Sequence, residues 1–83
     1  MQDIDQYILT LGETVKRHRK QASLSQAKLA QYAGVGKTVI YDIEHGKPSV
    51  KLDTLLRVLN ALNIRLEPTS PLLDEEGKHH ASS

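Results

Sequence analysis

Two short amphipathic segments, each followed by a glycine, constrain this chain more than any other feature. Residues 26–33 and 37–44 carry apolar side chains at the three- and four-residue spacing of an α-helix. Gly34 and Gly46 stand just beyond their ends, where a glycine in the left-handed conformation commonly stops a helix. Because only three residues separate the segments, the pattern predicts two short helices joined by a tight turn.

The flanking sequence predicts two further helices. In the first, over about residues 5–21, Gly12 is the expected place for a break, since glycine costs about 1 kcal/mol relative to alanine inside a helix. The other begins at about residue 49 or 51 and ends near residue 62. Its apolar stripe consists of Leu52, Leu55, Leu56, Leu59 and Leu62. The predicted fold class is therefore all-α, a compact domain of four to five helices.

Residues 64–67 alternate apolar and charged side chains, which indicates a short strand that Pro68 ends. A lone strand cannot satisfy its own backbone groups, and the sequence offers no second strand. Antiparallel pairing with the same segment of a second copy would satisfy them and would bring Arg65 of one chain near Glu67 of the other. The predicted dimer strand comprises Ile64, Arg65, Leu66 and Glu67. The alternative that stays open is an extended tail without a partner.

The chain accordingly divides into four parts. Residues 1–10 form an N-terminal extension or the start of the first helix, and residues 11–62 form the helical domain. Residues 63–68 are the dimerising strand, and residues 69–83 are a flexible tail, because they are polar, lack periodicity and contain helix breakers.

Length and composition narrow the class of protein. Eighty-three residues make one small domain of marginal stability. Disulfide bonds, a structural metal ion or association with a second chain would stabilise such a domain. The absence of cysteine excludes disulfides and thiolate metal sites, so we expect a homodimer. No stretch is long and apolar enough to span a membrane and no signal peptide is visible, so we expect a soluble, cytoplasmic protein with no membrane partner.

The four histidines predict no catalytic or metal site. His79 and His80 lie in the polar tail, where adjacent imidazoles are not preorganised, and His45 stands near a helix end that favours a cation. No two histidines are spaced four residues apart on one helix. We therefore expect no enzymatic activity, no cofactor and no bound metal.

The formal net charge of +1 conceals a segregated distribution. Residues 14–65 carry ten Lys or Arg against three acidic residues, giving +7, whereas residues 1–13 and 66–83 each sum to −3. A basic middle between acidic ends suggests a polyanionic partner, although scattered surface charge is the ordinary alternative.

Two helices joined by a three-residue turn are the geometry of the helix-turn-helix, whose second helix enters the major groove of DNA. Ile40 and Ile43 of the second segment are apolar on the side that would pack against Leu29 and Ala30. The groove, about 12 Å wide, admits a helix whose opposite side is polar. The residues of that side are Lys37, Thr38, Tyr41 and Asp42.

Residues 24–48 resemble the phage-repressor/Cro-type (XRE) helix-turn-helix family. The matching positions are Gln26, Leu29, Ala30, Gly34, Val35, Ile40, Ile43, Glu44, Gly46 and Lys47. The resemblance covers about residues 11–62 and implies a sequence-specific transcriptional regulator that binds a palindromic operator in double-stranded DNA as a dimer. Two positions depart from the family. Gly36 replaces a serine whose hydroxyl would cap the helix and reach phosphate, and Tyr41 replaces a residue that is commonly small or polar.

The resemblance assigns base contacts to the polar side of the second helix. Lys37 is placed to reach guanine O6 or N7, with Thr38 beside it, and Asp42 either accepts from cytosine N4 or only holds Lys37 in place. Tyr41 is either a base contact or a packing residue.

The resemblance also implies backbone contacts and one structural pair. Gln26, Gly36 and Lys47 are the expected contacts to the phosphate backbone, where helix N-termini and lysines favour anions. Arg19 and Glu44 stand where the family often forms a buried ion pair between the first and third helices.

Residues 46–62 are similar to a narrower branch, the HipB-like antitoxins of operons whose toxin is a HipA-type kinase. This similarity implies an autorepressing antitoxin that binds its operator as a dimer and restrains such a kinase. Two alternatives stay open. The protein is a stand-alone transcriptional repressor with no toxin partner, or it is chiefly a protein-interaction module that docks through residues 72–76.

Overall fold

A computed structural model describes residues 3–73, which contain four α-helices of eight residues or more and a further helical segment at residues 71–73. The four helices are α1 (Ile4–Gln21), α2 (Gln26–Ala33), α3 (Lys37–Glu44) and α4 (Leu52–Ala61). Helix α2 packs against both α3 and α4, and α1 packs against α3. Helix α3 is therefore held from two sides, and the all-α fold class expected from the sequence is confirmed.

The core is aliphatic and lies where the four helices converge. Its fully buried side chains are Val15, Leu29, Ile40, Val58 and Leu59. Ala30 and Ile43 are buried beside them at 4% and 5% exposure. Each helix thus contributes at least one residue to a single cluster, and α3 contributes the two isoleucines that its sequence pattern placed inward.

Local signals set the bounds of α2. Ser25 Oγ accepts a hydrogen bond from the Lys28 backbone N–H at 3.0 Å, so the serine caps the helix as its position predicts. At the other end Gly34 adopts the left-handed conformation with φ of 72°. The Val35 N–H then donates to the Ala30 carbonyl oxygen at 3.0 Å. This carbonyl belongs to the last turn of α2, where carbonyl groups have no partner within the helix.

The break expected at Gly12 does not occur, since α1 runs without interruption from Ile4 to Gln21. Gly12 is buried, and a Cβ atom built there would overlap the Ile43 carbonyl oxygen and lie 3.3 Å from the Glu44 carbonyl carbon. The glycine therefore allows α1 to cross the C-terminal end of α3 at backbone contact. Tertiary packing offsets the intrinsic helical cost of glycine.

The leucine stripe expected on α4 is only partly buried. Leu59 is fully buried and Leu55 packs against the core, whereas Leu52 and Leu56 are 65% and 43% exposed. Val58, which the expected stripe omitted, is fully buried instead. The apolar surface of α4 is wider than the surface that α2 covers, so one edge of it stays uncovered in the single chain.

No strand is assigned between residues 3 and 73, and residues 64–70 have no regular secondary structure. The turn after α4 closes with the Ile64 N–H donating to the Leu59 carbonyl at 2.9 Å. Arg65 Nη1 and Glu67 Oε1 lie 3.4 Å apart within the same chain, so the two charges expected to meet across a dimer already meet at one exposed site. Pairing with a second copy stays a prediction.

The segment expected to be a flexible tail from residue 69 contains secondary structure near its start. Residues 71–73 are helical, and Ser70 Oγ accepts from the Leu73 backbone N–H at 3.1 Å. The acidic run of residues 74–76 and the two histidines at 79 and 80 lie outside the described residues.

We expect Gly12→Ala to destabilise the domain by about 1–3 kcal/mol, because the added methyl group must displace the backbone of α3. Urea denaturation followed by circular dichroism measures the change. Glu13→Ala, an exposed substitution one residue along the same helix, is the control and should change stability by less than about 0.5 kcal/mol. If Gly12→Ala were stabilising, as helix propensity alone predicts, the close crossing of α1 and α3 would be wrong.

Candidate nucleic-acid interface

Helix α3 divides sharply into a buried side and an exposed side. Ile40 and Ile43 are buried, whereas Lys37, Thr38 and Tyr41 are exposed. Lys37 and Thr38 stand four and three residues before Tyr41, so the three side chains share one face of the helix. The structure thus brings three of the four expected base contacts onto one accessible surface.

Asp42, the fourth expected base contact, is half-buried and its partner differs from the one expected. Its Oδ2 lies 3.4 Å from Lys47 Nζ, so the carboxylate pairs with Lys47 rather than with Lys37. The Lys47 backbone N–H also donates to the Asp42 carbonyl oxygen at 2.9 Å. Gly46, at φ of 76°, turns the chain back after α3 and brings the lysine to the aspartate. Lys47 therefore lies beside the exposed face of α3.

An aromatic stack completes the exposed face. The rings of Tyr41 and His45 have centroids 3.8 Å apart and planes inclined by 22°. His45 Nδ1 lies 2.8 Å from the Tyr41 carbonyl oxygen. The sequence interpretation treated His45 only as a cation at a helix end. The signal that identifies the stack is the four-residue spacing, which places two side chains on one face of a helix.

The expected backbone contacts occupy different settings. Gln26, in the first turn of α2, is half-buried and its Nε2 donates to Glu44 Oε1 at 3.2 Å, so the amide is directed at least partly inward. Gly36 is the exposed N-cap of α3 and provides no side-chain cap. Apart from its two chain neighbours, nothing lies within 4 Å of a Cβ built at Gly36, so there is open space beside this N-cap position.

Arg19 and Glu44 form a buried bidentate ion pair between α1 and α3. Arg19 Nε donates to Glu44 Oε2 at 2.6 Å and Nη2 donates to Glu44 Oε1 at 3.0 Å. Arg19 Nη1 donates to the Leu24 carbonyl at 2.8 Å. With the bond from Gln26, the network joins α1, α2 and α3, and every buried side-chain nitrogen and oxygen in the described residues has a partner.

The network favours the charged forms of both Arg19 and Glu44. The hydrogen bond to Glu44 raises the pKa of Arg19, against the opposing effect of burial. Burial alone would raise the pKa of Glu44, but the hydrogen bonds from Arg19 and Gln26, together with the positive charges of Arg19 and Lys16, outweigh it, so the pKa lies below its ordinary value. The stabilisation from Glu44 is therefore fully present above the unfolded-state pKa of about 4.3 and is lost as the pH falls through the folded-state pKa.

Two other kinds of feature, a metal site and a membrane-spanning helix, are not found among the described residues. No group of three or more His, Cys, Asp or Glu side chains among residues 3–73 is placed to hold a metal ion. Within the same residues, no helix is long and apolar enough to cross a membrane.

The geometry is that of a helix-turn-helix domain of the DNA-binding type. Comparison with known families and proteins gives the same class. Residues 15–68 match the helix-turn-helix family. An uncharacterised HTH-type transcriptional regulator, y4mF of Sinorhizobium fredii, is 38% identical over 61 residues, which are 74% of this chain and 80% of that protein. The immunity repressor protein of Bacillus phage phi105 is 34% identical over 68 residues, 82% of this chain but only 45% of the repressor. The chain belongs to the helix-turn-helix family of transcriptional regulators.

Two solved structures share the fold. A chain of the HipA–HipB–O2–O3 complex superposes with a TM-score of 0.68 over 76% of this chain and 89% of that chain, at 22% sequence identity. The MDT protein superposes with the same TM-score, coverage and identity. At this identity the likeness shows the fold alone, and it confirms the helix-turn-helix architecture expected from the sequence.

We expect Arg19→Met to lower the free energy of unfolding by about 3–5 kcal/mol, because it leaves the Glu44 carboxylate buried without its charge partner. Urea denaturation at neutral pH measures the loss. Arg17→Met, which replaces an exposed arginine two residues earlier, is the matched control and should change stability by less than about 0.5 kcal/mol. Equal stabilities of the two variants would show that the buried pair does not stabilise α3 against α1.

Proposed function

We propose that the protein binds double-stranded DNA sequence-specifically, with α3 in the major groove, and that it represses transcription. The observation that carries the proposal is the division of α3. Its apolar side and Glu44 are fixed in the interior, while Lys37, Thr38 and Tyr41 are exposed on one face. A helix anchored in this way presents polar groups to base edges without the entropy cost of ordering a mobile segment on binding.

The proposed base contacts are Lys37, Thr38, Tyr41 and Asp42. Lys37, in the first turn of α3, donates to guanine O6 or N7. Asp42 accepts from cytosine N4, and its ion pair with Lys47 keeps the carboxylate near the exposed face of the helix.

The proposed phosphate contacts are Gln26, Gly36 and Lys47. Gln26 Nε2 carries two hydrogens, and the bond to Glu44 uses one of them, so the other is available to a phosphate oxygen. Gly36 offers an unobstructed backbone at the N-terminus of α3, where the helix dipole favours an anion. Lys47 Nζ is half exposed, and its charge is only partly offset by Asp42. The charge of +7 over residues 14–65 adds a sequence-independent attraction to DNA.

We further propose that the protein acts as a homodimer on a palindromic operator, with half-sites about 34 Å apart. Uncovered apolar side chains support the proposal. Leu52 and Leu56 of α4 and Leu66 beyond it are exposed, and Leu56 and Leu66 line one open groove with Ile64. A second copy that covers this groove would bury Leu56 and Leu66 and would supply a strand partner for Ile64–Glu67.

The narrower proposal is an autorepressing antitoxin, located in the cytoplasm, that restrains a HipA-type kinase. The fold of a chain from the HipA–HipB–O2–O3 complex and the resemblance of residues 46–62 to HipB-like antitoxins support it. The alternative is a stand-alone repressor without a toxin partner. The identity of 34% to a phage immunity repressor favours that alternative. A role chiefly as a protein-interaction module depends on residues 72–76, of which 74–76 lie outside the described residues.

We expect the affinity for a selected operator duplex to fall steeply with salt, with a log–log slope of about −0.9 for each phosphate neutralised. The substitution Lys37→Ala should weaken binding to the selected operator by about 1–3 kcal/mol, and it should relax the sequence preference at one base position. Fluorescence anisotropy over a salt series measures both effects. Lys20→Ala, which removes an equal charge at the end of α1, is the control for sequence preference.

A salt-independent affinity would contradict binding through phosphates. An equal loss by Lys37→Ala on operator and unrelated duplexes would make Lys37 a phosphate contact instead of a base contact.

Truncation after Leu62 is expected to convert the dimer to a monomer, because it removes the segment that would pair across two copies. Sedimentation velocity at several concentrations measures the oligomeric state. A chain truncated after Leu73 keeps that segment and should remain dimeric. If the shorter chain were as dimeric as the longer one, strand pairing through Ile64–Glu67 would be wrong and the exposed leucines of α4 alone would form the interface.

A further inference from the structure

The base contacts proposed for α3 do not account for the stacking of Tyr41 on His45. The rings lie 3.8 Å apart at 22°, and both residues are exposed. Tyr41 shares its face of α3 with Lys37 and Thr38. Two exposed aromatic rings in contact therefore stand on the same surface as the proposed base contacts.

The imidazole is tied to the helix that it stacks on. His45 Nδ1 lies 2.8 Å from the Tyr41 carbonyl oxygen. A carbonyl oxygen only accepts hydrogen bonds, so Nδ1 carries the hydrogen and donates it. The same oxygen accepts the His45 backbone N–H at 3.0 Å. The histidine ring is thereby fixed against Tyr41 and restricts the rotamers available to the tyrosine.

A fixed tyrosine ring of this kind suits an apolar feature of a base pair. His45 covers one face of the ring, which leaves the other face and the edge of Tyr41 for contact. In the major groove, the thymine C5-methyl group is the apolar element of the base-pair code, and apolar side chains contact it. A ring that is already ordered loses little side-chain entropy in making that contact.

We propose that the Tyr41–His45 stack selects a thymine in the operator through its C5-methyl group. Tyr41 makes the contact, and His45 is a positioning residue that holds the tyrosine ring in place. The inference rests on the proposed binding of DNA by α3, and it adds the chemical feature that one part of α3 recognises.

Replacement of thymine by deoxyuridine tests the inference, because it removes the methyl group and leaves every hydrogen-bonding atom. The probe is a duplex that the full-length protein selects from random sequence, with each thymine of one half-site replaced in turn. We expect at least one position at which the replacement weakens binding about three- to fivefold, the effect of one buried methyl group.

Three variants assign that methyl preference to the stack. Tyr41→Ala should bind the thymine and deoxyuridine duplexes equally, and His45→Ala should reduce the preference by at least half. His45→Phe keeps a stacking ring but lacks the hydrogen bond to the Tyr41 carbonyl, so it should restore part of the preference that His45→Ala loses. His18→Ala is the matched control, because His18 is an exposed histidine whose Nδ1 makes the same 2.8 Å contact to the carbonyl four residues earlier, on α1. It should leave the preference unchanged.

Two results would overturn the inference while DNA binding itself stood. The first is that replacement by deoxyuridine weakens binding at no thymine position. The second is that the His45→Ala variant keeps the whole preference for thymine over deoxyuridine. A protein that bound no duplex would refute the proposed function first. In that case, nuclear magnetic resonance tests the stack in the free protein. The Tyr41 ring protons of the unsubstituted protein should resonate upfield of the same protons in the His45→Ala variant. An unchanged position would show that the rings do not stack.

Discussion

The buried pair of Arg19 and Glu44 is the interaction on which the rest of the structure depends. It joins the last turns of α1 and α3, and Gln26 connects it to the first turn of α2. Two charges in a small aliphatic core are costly to desolvate, and that cost is offset only when each polar atom has a well-placed partner. The guanidinium meets this condition with two bonds to the carboxylate and one to the Leu24 carbonyl. The network therefore fixes the orientation of α3 more specifically than apolar contacts alone can, because its bonds are directional.

Gly12 makes this arrangement possible at the backbone level. The absence of a side chain lets α1 approach the carbonyl groups of Ile43 and Glu44, at the end of α3 where Glu44 enters the core. One glycine and one ion pair thus act on the same turn of α3 from the same helix. Both contacts oppose rotation of α3 about its axis, so the exposed face with Lys37 and Tyr41 is held in one orientation to the domain.

The elements that local chemistry determines could be predicted from the sequence. The serine cap of α2, the left-handed Gly34 and the inward isoleucines of α3 all follow from signals within a few residues. The continuity of α1 through Gly12 could not be predicted, because the compensating contact comes from residues more than thirty positions away. A helix propensity measures the cost of glycine and contains no information about the neighbour that requires it.

The same distinction applies to the candidate site. The exposed positions of α3 follow from helical periodicity, but the pairing of Asp42 with Lys47 depends on how the chain turns after α3. The stack joins Tyr41 of α3 to His45, the C-cap residue of the same helix, and it could be predicted from the four-residue spacing alone. The exposed Leu52 and Leu56 show a further limit, since periodicity identifies an apolar face without identifying what covers it.

That uncovered edge of α4 bears on function because of where α4 sits. Helix α4 packs on α2, and α2 packs on α3, so the three helices form one continuous set of contacts. A contact between two copies through Leu52, Leu56 and Leu66 would fix α4 of one chain against the other. Through α2, it would also fix the distance between the two α3 helices, and that distance must match the half-site spacing of a palindromic operator. In the proposed dimer, the leucines that the single chain leaves exposed would make recognition of a two-fold operator depend on the fixed geometry of the two copies.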